Sequence, residues 1–149
     1  MISKILVATD DSHIAKKAFR YALKLAAQLK ASISLLTVID DRAFIVQSIP
    51  LEMFQSQIGQ PIGDFMRRSA EKHLKRDSSI CKKNGITCRS IIRNGNPVDE
   101  IIKEAKKSQV DMIVMGSHGK GTLESAVLGS VAYGVIHKNT KYPVLVIRK

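Results

Sequence analysis

Five short aliphatic runs constrain the fold of this chain before any motif is considered. They are Ile2 to Ala8, Ile33 to Ile39, Ile86 to Ile92, Val110 to Met115 and Val144 to Ile147. Each is mainly apolar rather than strictly alternating, the pattern of a strand buried on both sides. The stretches between them are mostly of helical period. Strand–helix alternation with right-handed crossovers predicts an α/β fold, a doubly wound sandwich with a parallel sheet between helical layers. At 149 residues the chain fits one domain, expected to span 1–149.

The helical stretches carry their own start and stop signals. Thr9-Asp10-Asp11-Ser12 ends the first run with side chains that accept from orphan N–H groups, and Asp11 reads as the cap. Ala15, Ala18, Phe19, Ala22, Leu23, Ala26 and Leu29 then recur at three and four residues, one face of a helix. Ile62, Phe65, Met66, Ala70, His73, Leu74, Ile80 and Cys81 form a second face, stopped by Asn84-Gly85. Asn96-Pro97 starts a third helix, with Asp99 and Glu100 in its first turn and Val98, Ile101, Ile102 and Ala105 facing inward. The last helix is expected from Leu123 to His137. Asp40 to Gln60 has no clear period but many apolar residues, which suits a lid or a dimer contact.

Composition narrows the classes of function. No run of about 18 apolar residues occurs, which excludes a helical membrane span. The opening Met1 to Asp10 does not read as a signal peptide. Cys81 and Cys88 form neither a disulfide framework nor a C-x-x-C pair; they read as a helix core residue and a strand residue, and a reduced, cytoplasmic setting is expected. The 24 Lys and Arg outnumber 13 Asp and Glu, a net charge of +11 that favours anionic partners. Nine of these cations lie between Arg67 and Arg93, against two acids. With no Trp, and Phe65 the only aromatic near that segment, base stacking has little to work with, which argues against nucleic acid.

The segment Met115-Gly116-Ser117-His118-Gly119-Lys120-Gly121, continuing to Gly129-Ser130, leaves an aliphatic strand and enters a helix. Glycines admit close approach of a ligand to the backbone, and a helix N-terminus offers free N–H groups to phosphate. In open α/β sheets the crevice lies at the carboxyl ends of strands where the winding reverses. The ends at Thr9-Asp10 and Gly116 would form one pocket if those two strands are neighbours. The P-loop pattern fails, because Lys120 precedes Gly121 and Thr122-Leu123 follows it. G-x-G-x-x-G fails too, with Glu124 at the last position.

The spacing Gly116-x2-Gly119-x9-Gly129-Ser130 resembles the nucleotide-binding signature of the universal stress protein family, G-x2-G-x9-G-[ST]. Ile5-Leu6-Val7-Ala8-Thr9-Asp10 looks like that family's first strand, Leu35 to Asp40 its second and Asp111 to Ser117 its fourth. Pro143 to Ile147 matches the close. The resemblance is weakest from Arg42 to Met66. It implies a Rossmann-like, five-stranded parallel sheet of order 3-2-1-4-5, three layers deep, and a homodimer through strand 144–147. It also implies binding of ATP or another adenine nucleotide, with Mg2+ or Mn2+ as a conceivable companion, by a cytoplasmic protein acting in stress response. Carried over by position, Asp10 would face ribose or adenine, Val38 the adenine, and Met115 and Gly116 the ribose. Gly119, Gly129, Ser130 and Val131 would serve the phosphates, with Ala8, Thr9 and His118 completing the wall. Gly121 lies outside the signature.

Other constellations are weaker. His13, His73, His118 and His137 have no i, i+4 pair, so no metal site is expected. Asp10-Asp11 leave a strand pointing apart, unsuited to paired acid–base work, and Ser79 to Lys82 matches S-x-x-K as chance allows. Without a Walker lysine or an evident general base, a slow ATP hydrolase or phosphotransfer enzyme is a second reading. A nucleic-acid or acidic-partner binder acting through the basic helix 67–83 is a third.

Overall fold

The computed structural model describes residues 1–40, 59–120, 127–139 and 141–149. Strands β1 (Lys4–Ala8), β2 (Ser32–Ile39), β3 (Cys88–Asn94), β4 (Met112–Gly116) and β5 (Val144–Ile147) form one parallel sheet in the order β3-β2-β1-β4-β5. Helices α1 (His13–Leu29), α2 (Gly59–Lys83), α3 (Pro97–Ser108) and α4 (Ser130–Lys138) cover it. The expected α/β architecture and strand order are both present.

Strand parity divides the core in two. Ile5, Val7, Ile33, Leu35 and Val114 point to one face, where Ala18, Phe19, Ala22 and Ala26 of α1 and Leu74 and Cys81 of α2 cover them. Leu6, Leu36, Ile113 and Met115 point to the other, against Ile101 and Ala105 of α3 and Ala132 and Val135 of α4. The apolar positions at the centre of β1, β2 and β4 are therefore buried on both faces, which explains runs largely without polar alternation. Each such Val, Leu or Ile contributes about 1.5–3 kcal/mol of transfer free energy. On α4, a Cβ at Gly134 would sit 2.6 Å from Val98 Cγ2, so glycine lets α3 and α4 approach closely.

Boundaries depart from expectation where side chains and caps redirect the backbone. β1 starts at Lys4 rather than Ile2, because the Asp111 carboxylate accepts from the N–H groups of Ser3 (2.7 Å) and Lys4 (2.9 Å). β3 runs two residues later than the expected 86–92. Gly85 ends α2 at φ +68°, Gly85 N–H donates to Lys82 C=O and Ile86 N–H to Cys81 C=O, both at 3.0 Å. That is a Schellman closure, and Ile86 is used in it. Val110 similarly closes α3 through Ala105 C=O, so β4 begins at Met112. The cap of α1 is Ser12, whose Oγ accepts from Ala15 N–H at 3.2 Å, rather than Asp11.

Two residues expected in the core face solvent. Leu29 ends α1 and is exposed. Phe65 precedes Ala70 by five residues, about 140° around the helix from the stripe that α2 turns to the sheet, and is 68% exposed. The last helix begins at Ser130, with Val127 and Leu128 outside it; residues 121–126, including Gly121, lie outside the described residues, as does most of the expected lid or dimer segment 40–60.

Candidate functional site

β1 is the strand from which the chain first builds outward through β2 to β3 and later resumes on the other side with β4. Its end and that of β4 lie side by side, with Ala8 level with Met115 and with Leu36 of β2. A crevice of about 360 Å³ opens there, within the size range of small-molecule sites. Ala8, Thr9, Asp10, Val38, Met115, Gly116, His118, Gly119, Gly129, Ser130 and Val131 all line it. Sequence reasoning missed Ala15, Leu36, Asp40, Met66, Pro97, Ile101, Ser117, Lys120 and Ala132, which also line it. Most of these arrive from helices whose position in space the linear pattern does not give. Ser117 and Lys120 were visible inside the glycine segment.

The glycine segment is held by three contacts of Ser117. Buried Ser117 donates its N–H to Ile147 C=O (2.8 Å), accepts Gly129 N–H at its own carbonyl (2.6 Å) and contacts His118 Nδ1 with its hydroxyl (2.9 Å). Gly116 is needed for space: a Cβ there would lie 2.7 Å from Ile14 Cγ2. Gly119 approaches Asp10 so closely that its Cβ would lie 2.7 Å from Oδ2. The Asp10 carboxylate is fixed at both ends, Oδ1 accepting from Ser12 N–H (3.0 Å) and Oδ2 from Lys120 N–H (2.8 Å). Asp10 thus ties the end of β1 to the glycine loop.

Gly129 has a different part from the one expected of it. Its N–H is taken by Ser117, and its carbonyl accepts Tyr133 N–H at 2.9 Å, the first turn of α4. The first-turn N–H groups left without an intrahelical partner belong to Ser130, Val131 and Ala132, and all three residues line the crevice. They bring the positive end of a helix to its wall.

β2 contributes by parity. Leu36 C=O accepts Thr9 N–H (2.9 Å), so Leu36 turns its backbone groups towards β1, whereas Ile39 C=O accepts Gly95 N–H (3.0 Å) on the β3 side. Val38, two residues beyond Leu36, turns its N–H and C=O to the β1 side, past the end of that strand. Thr9 spends its own groups locally: its carbonyl accepts the Thr37 hydroxyl at 2.9 Å and its Oγ1 accepts Asp11 N–H at 3.3 Å.

Beside the crevice, Asp11 (φ +65°) pairs with Arg76 at 2.8 Å and Lys16 at 3.6 Å. Arg76 also reaches Asp77 at 2.8 Å, which links the β1–α1 turn to α2. Buried Asp77 and His73 each retain one side-chain atom, Oδ2 and Nδ1, without a hydrogen-bond partner among the described residues. Burial pushes the Asp77 carboxyl above its ordinary value against the pull of Arg76, and pushes the His73 imidazole below its own. A carboxyl raised in the folded state weakens folding as pH rises through its folded value. Asp77→Asn is therefore expected to raise the thermal midpoint at neutral pH. That gain should shrink towards pH 3.8, the ordinary value, and a gain unchanged between pH 7 and pH 4 would refute this account.

Among the described residues no group of three or more His, Cys, Asp or Glu stands ready to hold a metal ion, and no helix is long and apolar enough to cross a membrane. Cys81 is buried and Cys88 half-buried in one core; the contact with Cys88 and burial raise the Cys81 thiol above its ordinary range.

The model of the Universal stress protein family matches residues 1–148. A universal stress protein of Methanocaldococcus jannaschii, MJ0531, is 32% identical over 149 residues, covering 100% of this chain and 84% of its own. YxiE of Bacillus subtilis is 31% identical, with 99% and 100% covered. The solved structure of the hypothetical protein MJ0577, also of M. jannaschii, superposes with a TM-score of 0.85 at 33% identity, covering 100% of this chain and 97% of that one. A family protein of Arabidopsis thaliana with AMP bound shares the fold at a TM-score of 0.65 and 24% identity, covering 99% and 92%.

Proposed function

We propose that this chain, which belongs to the universal stress protein family, holds ATP or a related adenine nucleotide in the crevice between β1 and β4. In this reading it acts in stress response as a nucleotide-dependent switch in the cytoplasm. The observation that carries the ligand is the convergence, in one 360 Å³ crevice, of the N–H groups of Ser130, Val131 and Ala132, which have no intrahelical partner, with the close-approach glycines Gly116 and Gly119. That combination suits a phosphate held by backbone donors. The same fold holds AMP in the Arabidopsis protein.

The parts divide by chemistry. The outward N–H and C=O of Val38 match the acceptor–donor edge of adenine, and Met115 and Gly116 would flank the ribose. Asp10, tied to Ser12 and Lys120, has lone pairs left for ribose hydroxyls. The Ser130 hydroxyl would add one donor to the phosphates, while Gly129 acts by directing α4 at them. Mg2+ or Mn2+, if bound, would take its oxygens from phosphate and water.

Calorimetry with ATP, AMP and cyclic AMP on the purified chain tests the ligand. At least one should bind, and Ser130→Ala should weaken it roughly tenfold, the effect of one hydrogen bond to a charged group. Absence of binding by all three sinks the reading.

A homodimer through β5 belongs to the same proposal. β5 is a sheet edge, and Tyr133 and Ile136 of neighbouring α4 are exposed. An aliphatic edge left bare invites uncontrolled pairing. Light scattering at micromolar concentration should give twice the 16.5 kDa chain mass, and Val144→Lys should give the monomer. A monomeric parent chain would refute the dimer.

A further inference from the structure

Most of this chain's net charge of +11 lies on one side of the sandwich. α1 and α2, which lie on the same face of the sheet, together carry eleven Lys and Arg against three acids, a net of +8. α3 and α4 on the opposite face carry four cations against three acids. Two of the three acids on the basic side are already engaged, Asp77 with Arg76 and Glu71 with Arg67 at 3.3 Å. Arg20, Lys24, Arg68, Lys72, Lys75 and Lys82 make no ion pair among the described residues.

These free cations are ordered. On α2, Arg68, Lys72, Lys75 and Lys82 fall on one stripe, and Arg20 and Lys24 form another on α1. Along these stripes the cations stand one or two helical turns apart, about 5 to 11 Å, a spacing able to follow a phosphate backbone. Tyr21 and Phe65 stand among them, 56% and 68% exposed, Tyr21 one turn from Lys24 and Phe65 one turn from Arg68. The chain folds so that the basic helix gains a second basic helix and a second aromatic beside it, which the segment 67–83 alone did not have.

We infer that the α1–α2 face binds single-stranded nucleic acid, its cations following the phosphates and Tyr21 and Phe65 offering ring faces to bases. A lipid surface would need a continuous apolar stripe, and both helices turn theirs to the sheet. A protein partner is disfavoured by the lysines, which are depleted from interface cores. The face lies to the side of the crevice, so this inference stands on different residues from the nucleotide reading.

The test is fluorescence anisotropy of a labelled fifteen-residue oligothymidylate with the full chain between 25 and 200 mM KCl. Binding is expected, with a log–log salt slope near −4 for about six phosphate contacts. Arg68→Ser/Lys72→Ser/Lys75→Ser should weaken it at least tenfold at 50 mM and flatten the slope by about 2. Tyr21→Ala/Phe65→Ala should weaken it with the slope unchanged. Lys103→Ser/Lys106→Ser/Lys107→Ser removes the same charge from α3 and should change affinity less than twofold. Circular dichroism confirms that each variant is folded. Saturating AMP should leave the oligonucleotide bound. The inference is overturned by no binding at 25 mM KCl, by equal loss in the α3 variant, by displacement with AMP, or by binding to phosphatidylserine vesicles in place of the oligonucleotide.

Discussion

Gly119→Ala is expected to lower adenine-nucleotide affinity roughly tenfold or more, about 1.4 kcal/mol, while shifting the thermal midpoint by no more than a few degrees. The new methyl would lie 2.7 Å from Asp10 Oδ2, and Asp10 is short and held by two N–H donors, so it cannot swing aside without losing one. The clash falls on Oδ2, so the bond from Lys120 N–H yields, which lets the glycine loop move away from the crevice wall. Because Gly119 is exposed, the core is untouched. Calorimetry and a melting curve on the same sample separate the two effects. Gly63→Ala is the control, since a Cβ there meets nothing within 4 Å, and its affinity should equal that of the parent chain. The steric cause predicts coupling: in an Asp10→Ala background the added Gly119→Ala should cost little. An equal loss in both backgrounds would refute it.

The largest effect on stability is expected at the α3–β3 junction. Glu104 is buried on α3, and Arg93 of β3 grips it with two nitrogens at 3.0 and 2.8 Å. Ser108 donates its hydroxyl to the same carboxylate, and Arg89 lies 3.7 Å away. Arg93→Met should cost roughly 2–3 kcal/mol, somewhat below the usual figure for breaking a buried pair because Arg89 remains. For a chain of this size that is a fall of about 4–12 °C in the thermal midpoint. Arg93→Met/Glu104→Leu should recover most of it, since no buried charge is then left alone; a double variant as unstable as the single one would contradict the argument. Burial alone would raise the Glu104 carboxyl, but the Ser108 and Arg93 hydrogen bonds outweigh it and hold it below its ordinary 4.5. A lowered carboxyl stabilises the fold above that value and loses the contribution as pH falls through the folded one. The gap between the parent chain and Glu104→Gln should therefore narrow below pH 4.5.

These two expectations differ in how they could have been read. Gly119 belongs to a glycine spacing visible in the chain, between an aliphatic strand and a helix. The Glu104–Arg93 pair joins residues on different elements, and an acidic residue in a helix gives no sign in the linear pattern that it is buried against a strand. Asp11 shows the same limit. It reads as a cap, but a left-handed φ sends its carboxylate to Arg76, and Ser12 caps instead.

The aliphatic runs and the period of the stretches between them were enough for the α/β class, the number of strands and the helix faces, because burial on both sides leaves no other composition for a central strand. The family resemblance, carried by the glycine spacing together with the strand motifs, named eleven residues that line one crevice. The tertiary structure decided which N–H groups remain free, since Ser117 takes that of Gly129. It decided the partners of Asp10, and it gathered the net charge of +11 mostly onto one face. Periodicity reports which side of an element is covered. Only the packing of elements from distant parts of the chain determines what each polar group meets there.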